Sequence, residues 1–93
     1  MNNFIAHILV VDDDEGIRSL VKQYLNENNF LVTTSNSAEN ASEKVLIIKF
    51  DLIILDVMMS GKSGLDFIRE NKKSIQTPII LLTAKGETND RVE

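Results

Sequence analysis

The 93-residue chain contains no cysteine, which excludes disulfides, thiolate metal sites and cysteine nucleophiles together. Positive charge is also scarce. Ten Lys and Arg against fourteen Asp and Glu leave a formal charge of −4, whereas a nucleic-acid surface needs a basic face to release counterions. Direct nucleic-acid binding by these residues is therefore not expected. No apolar run approaches membrane-spanning length, and Met1-Asn2-Asn3-Phe4 carries neither the basic region nor the long apolar stretch of a signal peptide. No membrane association is expected, and a cytoplasmic location follows as the expectation. What remains, 43% apolar and 26% charged residues, is the composition of an ordinary globular chain long enough for one domain.

Three segments end alike, with an apolar run that stops on an oxygen-bearing side chain. Ile8-Leu9-Val10-Val11 runs into Asp12-Asp13-Asp14, Leu52-Ile53-Ile54-Leu55 into Asp56, and Ile79-Ile80-Leu81-Leu82 into Thr83. Runs of this kind, separated by helical patterns, predict strands buried on both faces of a parallel sheet. The carboxyl ends of parallel strands share one edge, where open α/β sheets bind ligands. Several carboxylates and a hydroxyl are thus expected to converge in one crevice.

Between these runs, Ile17, Leu20, Val21, Tyr24 and Leu25 mark one apolar face of a first helix, part of which is expected to be bare for want of a fifth helix. The acidic run ahead of it caps the helix and complements its dipole, and Asn28-Asn29 supplies a stop that tolerates the left-handed conformation. Residues 30–34 predict a second strand, and Ser37 opens a second helix with Ala38, Ala41, Val45 and Ile48 on its buried side. Residues 51–55 predict the third strand and residues 57–62 a loop containing Gly61. Ser63 to Asp66 has the form of a capping box for a third helix burying Leu65 and Ile68. Thr77-Pro78 starts a fourth strand, the single proline being tolerated at a first strand position. The order βαβαβαβ, with the opening turn of a helix at residues 89–93, gives a doubly wound α/β sheet. An apolar fourth strand at a sheet edge is a hazard that natural proteins suppress, so the chain is expected to be a domain truncated at its carboxyl end.

The acidic residues admit two readings. Asp12-Asp13-Asp14 could be helix caps, but three in a row exceed what one cap needs, because adjacent like charges repel unless something neutralises them. Asp56 could initiate a turn, but a carboxylate directly after four buried apolar residues is costly to desolvate unless paired or bound to metal. Both on one sheet edge favour a hard cation, and Mg2+ fits best, being held by one or two carboxylates with waters and a phosphate. Thr83 is either an ordinary strand residue or a hydroxyl for a phosphoryl oxygen. Lys62 and Lys85 are either solvated or a source of countercharge, and His7 lies at the far end of its strand. Ser60-Gly61-Lys62-Ser63 imitates the end of a phosphate-binding P-loop, but the glycine that motif requires is replaced by Asp56. With only four glycines in the chain, the loop also lacks the nest of backbone N–H groups that cradles phosphate.

Ile8 to Asp14, Asp51 to Met59, Gly61 to Leu65 and Pro78 to Ala84 together resemble the receiver domain of two-component response regulators, a flavodoxin-like fold. Asp90-Arg91-Val92 and the first helix are most similar to the OmpR/PhoB-type transcriptional branch. The resemblance implies that Asp56 is the phosphoacceptor, Asp12 and Asp13 the acidic pair and Thr83 the switch hydroxyl. It further implies Mg2+ held by Asp13, Asp56 and the backbone carbonyl of Met58, with Asp12 acting through water. The implied partner is a sensor histidine kinase, and the implied function a phosphorylation-controlled signalling switch that regulates transcription in a longer parent. Two departures stand out. Ser60 occupies a position where the family usually has proline, and the family's fifth strand, with its lysine and aromatic switch residue, and its fifth helix are not found. On this reading residues 1–93 are one receiver domain, incomplete at the carboxyl end, and self-association through the bare edge is expected. Two alternatives are a Mg2+-dependent phosphohydrolase of haloacid-dehalogenase type and a non-phosphorylated interaction module. The former wants a second Asp two residues after the nucleophile, where this chain has Met58.

Overall fold

The computed structural model describes residues 3–82. Its elements in chain order are β1 (His7–Val11), α1 (Glu15–Glu27), β2 (Leu31–Ser35), α2 (Ala38–Ile47), β3 (Leu52–Asp56), α3 (Gly64–Asn71) and β4 (Ile79–Leu82). Each run of β-branched and leucine residues has become a strand. All pairings are parallel and the order is β2-β1-β3-β4, the doubly wound α/β arrangement that the patterning implied. Among the described residues β4 forms one edge.

The helices start where their capping residues stand. Asp14 accepts the Ile17 N–H, Ser37 accepts the Asn40 N–H, and Ser63 and Asp66 form the reciprocal capping box. After α1 the chain turns through Asn29 at φ 73°, a conformation that asparagine adopts more readily than most side chains.

Two apolar layers hold the sheet. On one face Leu9, Val11, Ile53 and Leu55 pack with Ala38, Ala41, Phe50 and Phe67 beneath α2 and α3. On the other, Ile8, Val10 and Val32 meet Val21 and Leu25 of α1. Three details depart from the periodicity. On α1, Ile17, Leu20 and Tyr24 are exposed (44%, 67% and 64%), while Val21 and Leu25 of the same face pack against the layer of Ile8, Val10 and Val32. On α3 the buried side chain is Phe67, fully enclosed, whereas Leu65 is 48% exposed. The reason is phase: the capping box starts the helix at Gly64, so Gly64, Phe67 and Asn71, spaced i, i+3, i+7, face the interior. On β4, Ile80 and Leu81 are 50% and 40% exposed, so this strand is not buried on both faces as its composition suggested.

Gly64 fixes how closely α3 approaches the end of β3. Its N–H donates to the Val57 carbonyl at 3.1 Å, and an added Cβ would collide with the backbone carbonyl of Asp56 and lie 3.0 Å from Val57 Cα. Backbone cannot yield as a flexible side chain would. Gly64→Ala is therefore expected to cost about 1–3 kcal/mol through overpacking. Urea unfolding measures the loss, and the amide shifts of residues 56–58 should move with it.

Candidate functional site

The acidic side chains meet at the carboxyl edge of the sheet. Because Val11 pairs with Leu55, the next residues of β1 and β3, Asp12 and Asp56, emerge side by side. Asp13 follows in the loop to α1. The carboxylates of Asp12, Asp13 and Asp56 each place one oxygen so that all lie within 4.8 Å of one another. The convergence expected from the sequence is thus present for these three residues.

Each wall of the crevice is tied down locally. The Asp12 backbone N–H donates to the Ser35 carbonyl at 3.1 Å, anchoring the loop to β2. Asp12 Oδ1 accepts the Asp14 N–H at 2.9 Å, and the guanidinium of Arg18 donates to the Asp12 carbonyl at 2.8 Å. Across the crevice Asp56 Oδ1 accepts the Met58 N–H at 3.1 Å. Asp13 Oδ2 accepts both the backbone N–H of Ser60 at 2.9 Å and its hydroxyl at 3.2 Å. These last bonds join the loop after β1 to the loop after β3. Ser60 and Arg18 carry no motif signature, so their contributions were hidden in the sequence; only the departure at Ser60 from a usual proline hinted at one.

Other candidates fall elsewhere. Lys62 forms an ion pair with Glu70 on α3 at 2.8 Å, which holds its charge on the helix surface. His7 sits at the opposite end of β1, its Nε2 2.7 Å from the Thr33 hydroxyl and its ring edge-on to Phe50. Ser63 is a helix cap and not a phosphate ligand. β4 ends its described course at Leu82, the register partner of Asp56; Thr83 and Lys85 lie outside the described residues.

The neighbouring carboxylates have unlike electrostatics. Asp12 is 3% exposed, and this burial pushes its carboxyl above the ordinary range, with the nearby Asp56 and Asp13 charges adding to the effect and the Asp14 N–H opposing it. Asp13 is held below the ordinary range, chiefly by the Ser60 N–H and further by its hydroxyl and by Arg18. The donor set is all-oxygen and anionic, with one buried charge that has no cationic partner among the described residues. That chemistry fits a hard divalent cation such as Mg2+.

A stability prediction follows from Asp12. Since its folded-state pKa is raised, the folded metal-free protein binds that proton more tightly than the unfolded chain, and stability falls as pH rises above the ordinary Asp value of about 3.9. Asp12→Asn removes the buried charge while its amide oxygen can still accept the Asp14 N–H. At neutral pH without metal the variant should be more stable than the unaltered chain. The difference should vanish below about pH 3.9, where Asp12 is protonated in both states. Thermal unfolding across this range, in chelator, measures it.

Comparison with known proteins agrees with the geometry. Residues 8–93 match the response regulator receiver domain family. Over 87 residues the chain is 48% identical to protein PetR of Rhodobacter capsulatus, covering 94% of this chain and 37% of that protein. It is 43% identical over 86 residues to the transcriptional regulatory protein ResD of Bacillus subtilis, covering 92% and 36% respectively. The chain therefore spans little more than a third of the length of these relatives. Among solved structures, the response regulator TrrA of Thermotoga maritima in complex with Mg2+-BeF superposes with a TM-score of 0.81 at 41% identity, over 91% of this chain and 75% of that one. The haloacid-dehalogenase alternative is not favoured by these likenesses. Curated relatives that include ResD and CpxR are transcriptional regulatory proteins, and the chain belongs to the receiver domain family of two-component response regulators, which are phosphorylation-controlled switches.

Proposed function

We propose that Asp56 is the phosphoacceptor of this receiver, and that residues 1–93 act as its single receiver domain within a regulator of transcription. The observation that carries the reading is the gathering of the Asp12, Asp13 and Asp56 oxygens within 4.8 Å at the carboxyl edge of the sheet. The donor is a sensor histidine kinase or a small phosphodonor, in the cytoplasm. An Asp56 carboxylate oxygen attacks the phosphorus of a phosphoimidazole; the O–P bond forms as the P–N bond breaks, and the imidazole departs. This is nucleophilic catalysis in which the domain takes part in its own phosphorylation.

Asp13, Asp56 and the Met58 carbonyl would hold Mg2+, with Asp12 acting through water; the Mg2+-BeF complex of TrrA supports this choice of ion. When bound, the ion offsets the charge that gathers on the carboxylates and the phosphoryl oxygens. The Asp56–Met58 hydrogen bond at 3.1 Å holds the acceptor carboxylate against its own loop. Phosphorylation replaces the single carboxylate charge with a phosphoryl group of up to about two negative charges and three acceptor oxygens, for which the Thr83 hydroxyl would be a ligand. Among the described residues no helix is long and apolar enough to cross a membrane.

Asp56→Asn should abolish phosphoryl uptake, because the amide is a poor nucleophile. Incubation with acetyl phosphate and Mg2+ followed by intact-mass measurement should show one added phosphoryl group on the unaltered chain and none on the variant. Full incorporation in the variant would move the acceptor to another residue.

The reading also includes pairing of two copies of the 93-residue chain. Leu20 and Tyr24 on α1 and Ile80 on β4 are at least half exposed, and β4 is an edge among the described residues. Apolar surface and unpaired strand edges both seek partners. Sedimentation equilibrium over a hundredfold concentration range should show a reversible dimer that weakens in Leu20→Glu. A monomer at every concentration would sink this part.

A further inference from the structure

Ser60 bonds to the acidic cluster without belonging to it. Its backbone N–H and hydroxyl both reach the same oxygen of Asp13, Oδ2, at 2.9 and 3.2 Å, across 47 positions of sequence. No other pair of hydrogen bonds among the described residues joins the loop after β1 to the loop after β3. The three carboxylates converge within 4.8 Å while these bonds are made, so Ser60 does not draw Asp13 out of the cluster. It engages one oxygen and leaves the other lone pairs of the carboxylate available.

We infer that Ser60 is a positioning residue that holds Asp13 in its metal-ready orientation and couples the two loops that form the cation site. The inference rests on the Mg2+ reading of the acidic cluster. Its physical basis is twofold. Three carboxylates at this separation repel, and Asp13, the most exposed of them, would swing into solvent unless something held it. Two donors on one charged acceptor are stronger than neutral hydrogen bonds, and they fix the side chain before the ion arrives. Ser60 also stands two residues after Met58, so the same bonds set the position of the loop that carries the Met58 carbonyl. Outer-shell donors to metal-binding carboxylates usually matter by about 10–100-fold in affinity, and at this exposed site the lower end applies.

The test is Mg2+ titration of the unaltered 93-residue chain and of Ser60 variants, followed by amide NMR shifts. Ser60→Pro removes both donors and should weaken Mg2+ binding about 10-fold. Ser60→Ala keeps the N–H and should weaken it about twofold, and Ser60→Thr, which keeps both donors, should restore it. Equal affinity in the unaltered chain and in Ser60→Pro overturns the inference, and so does tighter binding by Ser60→Pro, which would mean that Ser60 competes with the ion. If Ser60→Pro fails to fold, the hydrogen bond is read in metal-free protein instead. Asp13→Ala should then move the Ser60 amide proton upfield, and an unmoved amide overturns the inference. Absence of Mg2+ binding by the unaltered chain is distinct, since it defeats the metal reading before any Ser60 variant is compared.

Discussion

The register between β1 and β3 is the constraint on which the site depends. Parallel neighbours lie about 4.8 Å apart, and Val11 opposite Leu55 sends Asp12 and Asp56 out of the sheet as adjacent side chains. A slip of β1 by one residue would exchange Leu9 and Val11 with Ile8 and Val10 between the two filled layers, so that neither set of side chains would match the neighbours it now packs against. Burial of the core thus enforces the carboxylate geometry. Like charges are held together because separating them would disrupt the packing of both apolar layers.

That enforcement leaves the metal-free site under electrostatic tension. Asp12 is buried without a cationic partner among the described residues, and its carboxyl is pushed up, while Asp13 is held down by Ser60. Backbone donors and one guanidinium pin the loops without discharging the cluster. A site of this kind responds strongly to any ligand that changes its charge, whether cation or phosphoryl group. In this chain the charges of the cluster are held together by packing and steered by small donors.

The rest of the molecule is less evenly supported. The layer beneath α2 and α3 is closed by Phe67 and Phe50, whereas among the described residues the opposite layer is covered by α1 over β1 and β2. Ile17, Leu20, Tyr24 and Ile80 remain exposed among the described residues. Surface of this sort stabilises a fold only when it is covered. The site itself sits at the ends of β1 and β3, the two strands with the most complete burial, and borders β4 where Asp56 is in register with Leu82.

Local chemistry made much of this legible from sequence. Apolar runs without polar alternation between helical patterns favour strands of a parallel sheet, caps such as Ser37, Ser63 and Asp14 mark helix starts, and carboxylates placed directly after such strands share one edge. Hence the parallel α/β fold and the meeting of Asp12, Asp13 and Asp56 followed from patterning and from the resemblance it exposed. Helix phase did not. A period of 3.6 residues marks an apolar stripe, yet only the capping box and the close fit of Gly64 against Asp56 determined that Phe67 points inward and Leu65 outward. Nor could patterning pair Ser60 with Asp13 or Arg18 with the Asp12 carbonyl, since neither bond leaves a periodic trace. Composition and period are properties of segments and survive in the sequence. A hydrogen bond spanning 47 positions exists only once two loops are brought together by the sheet between them.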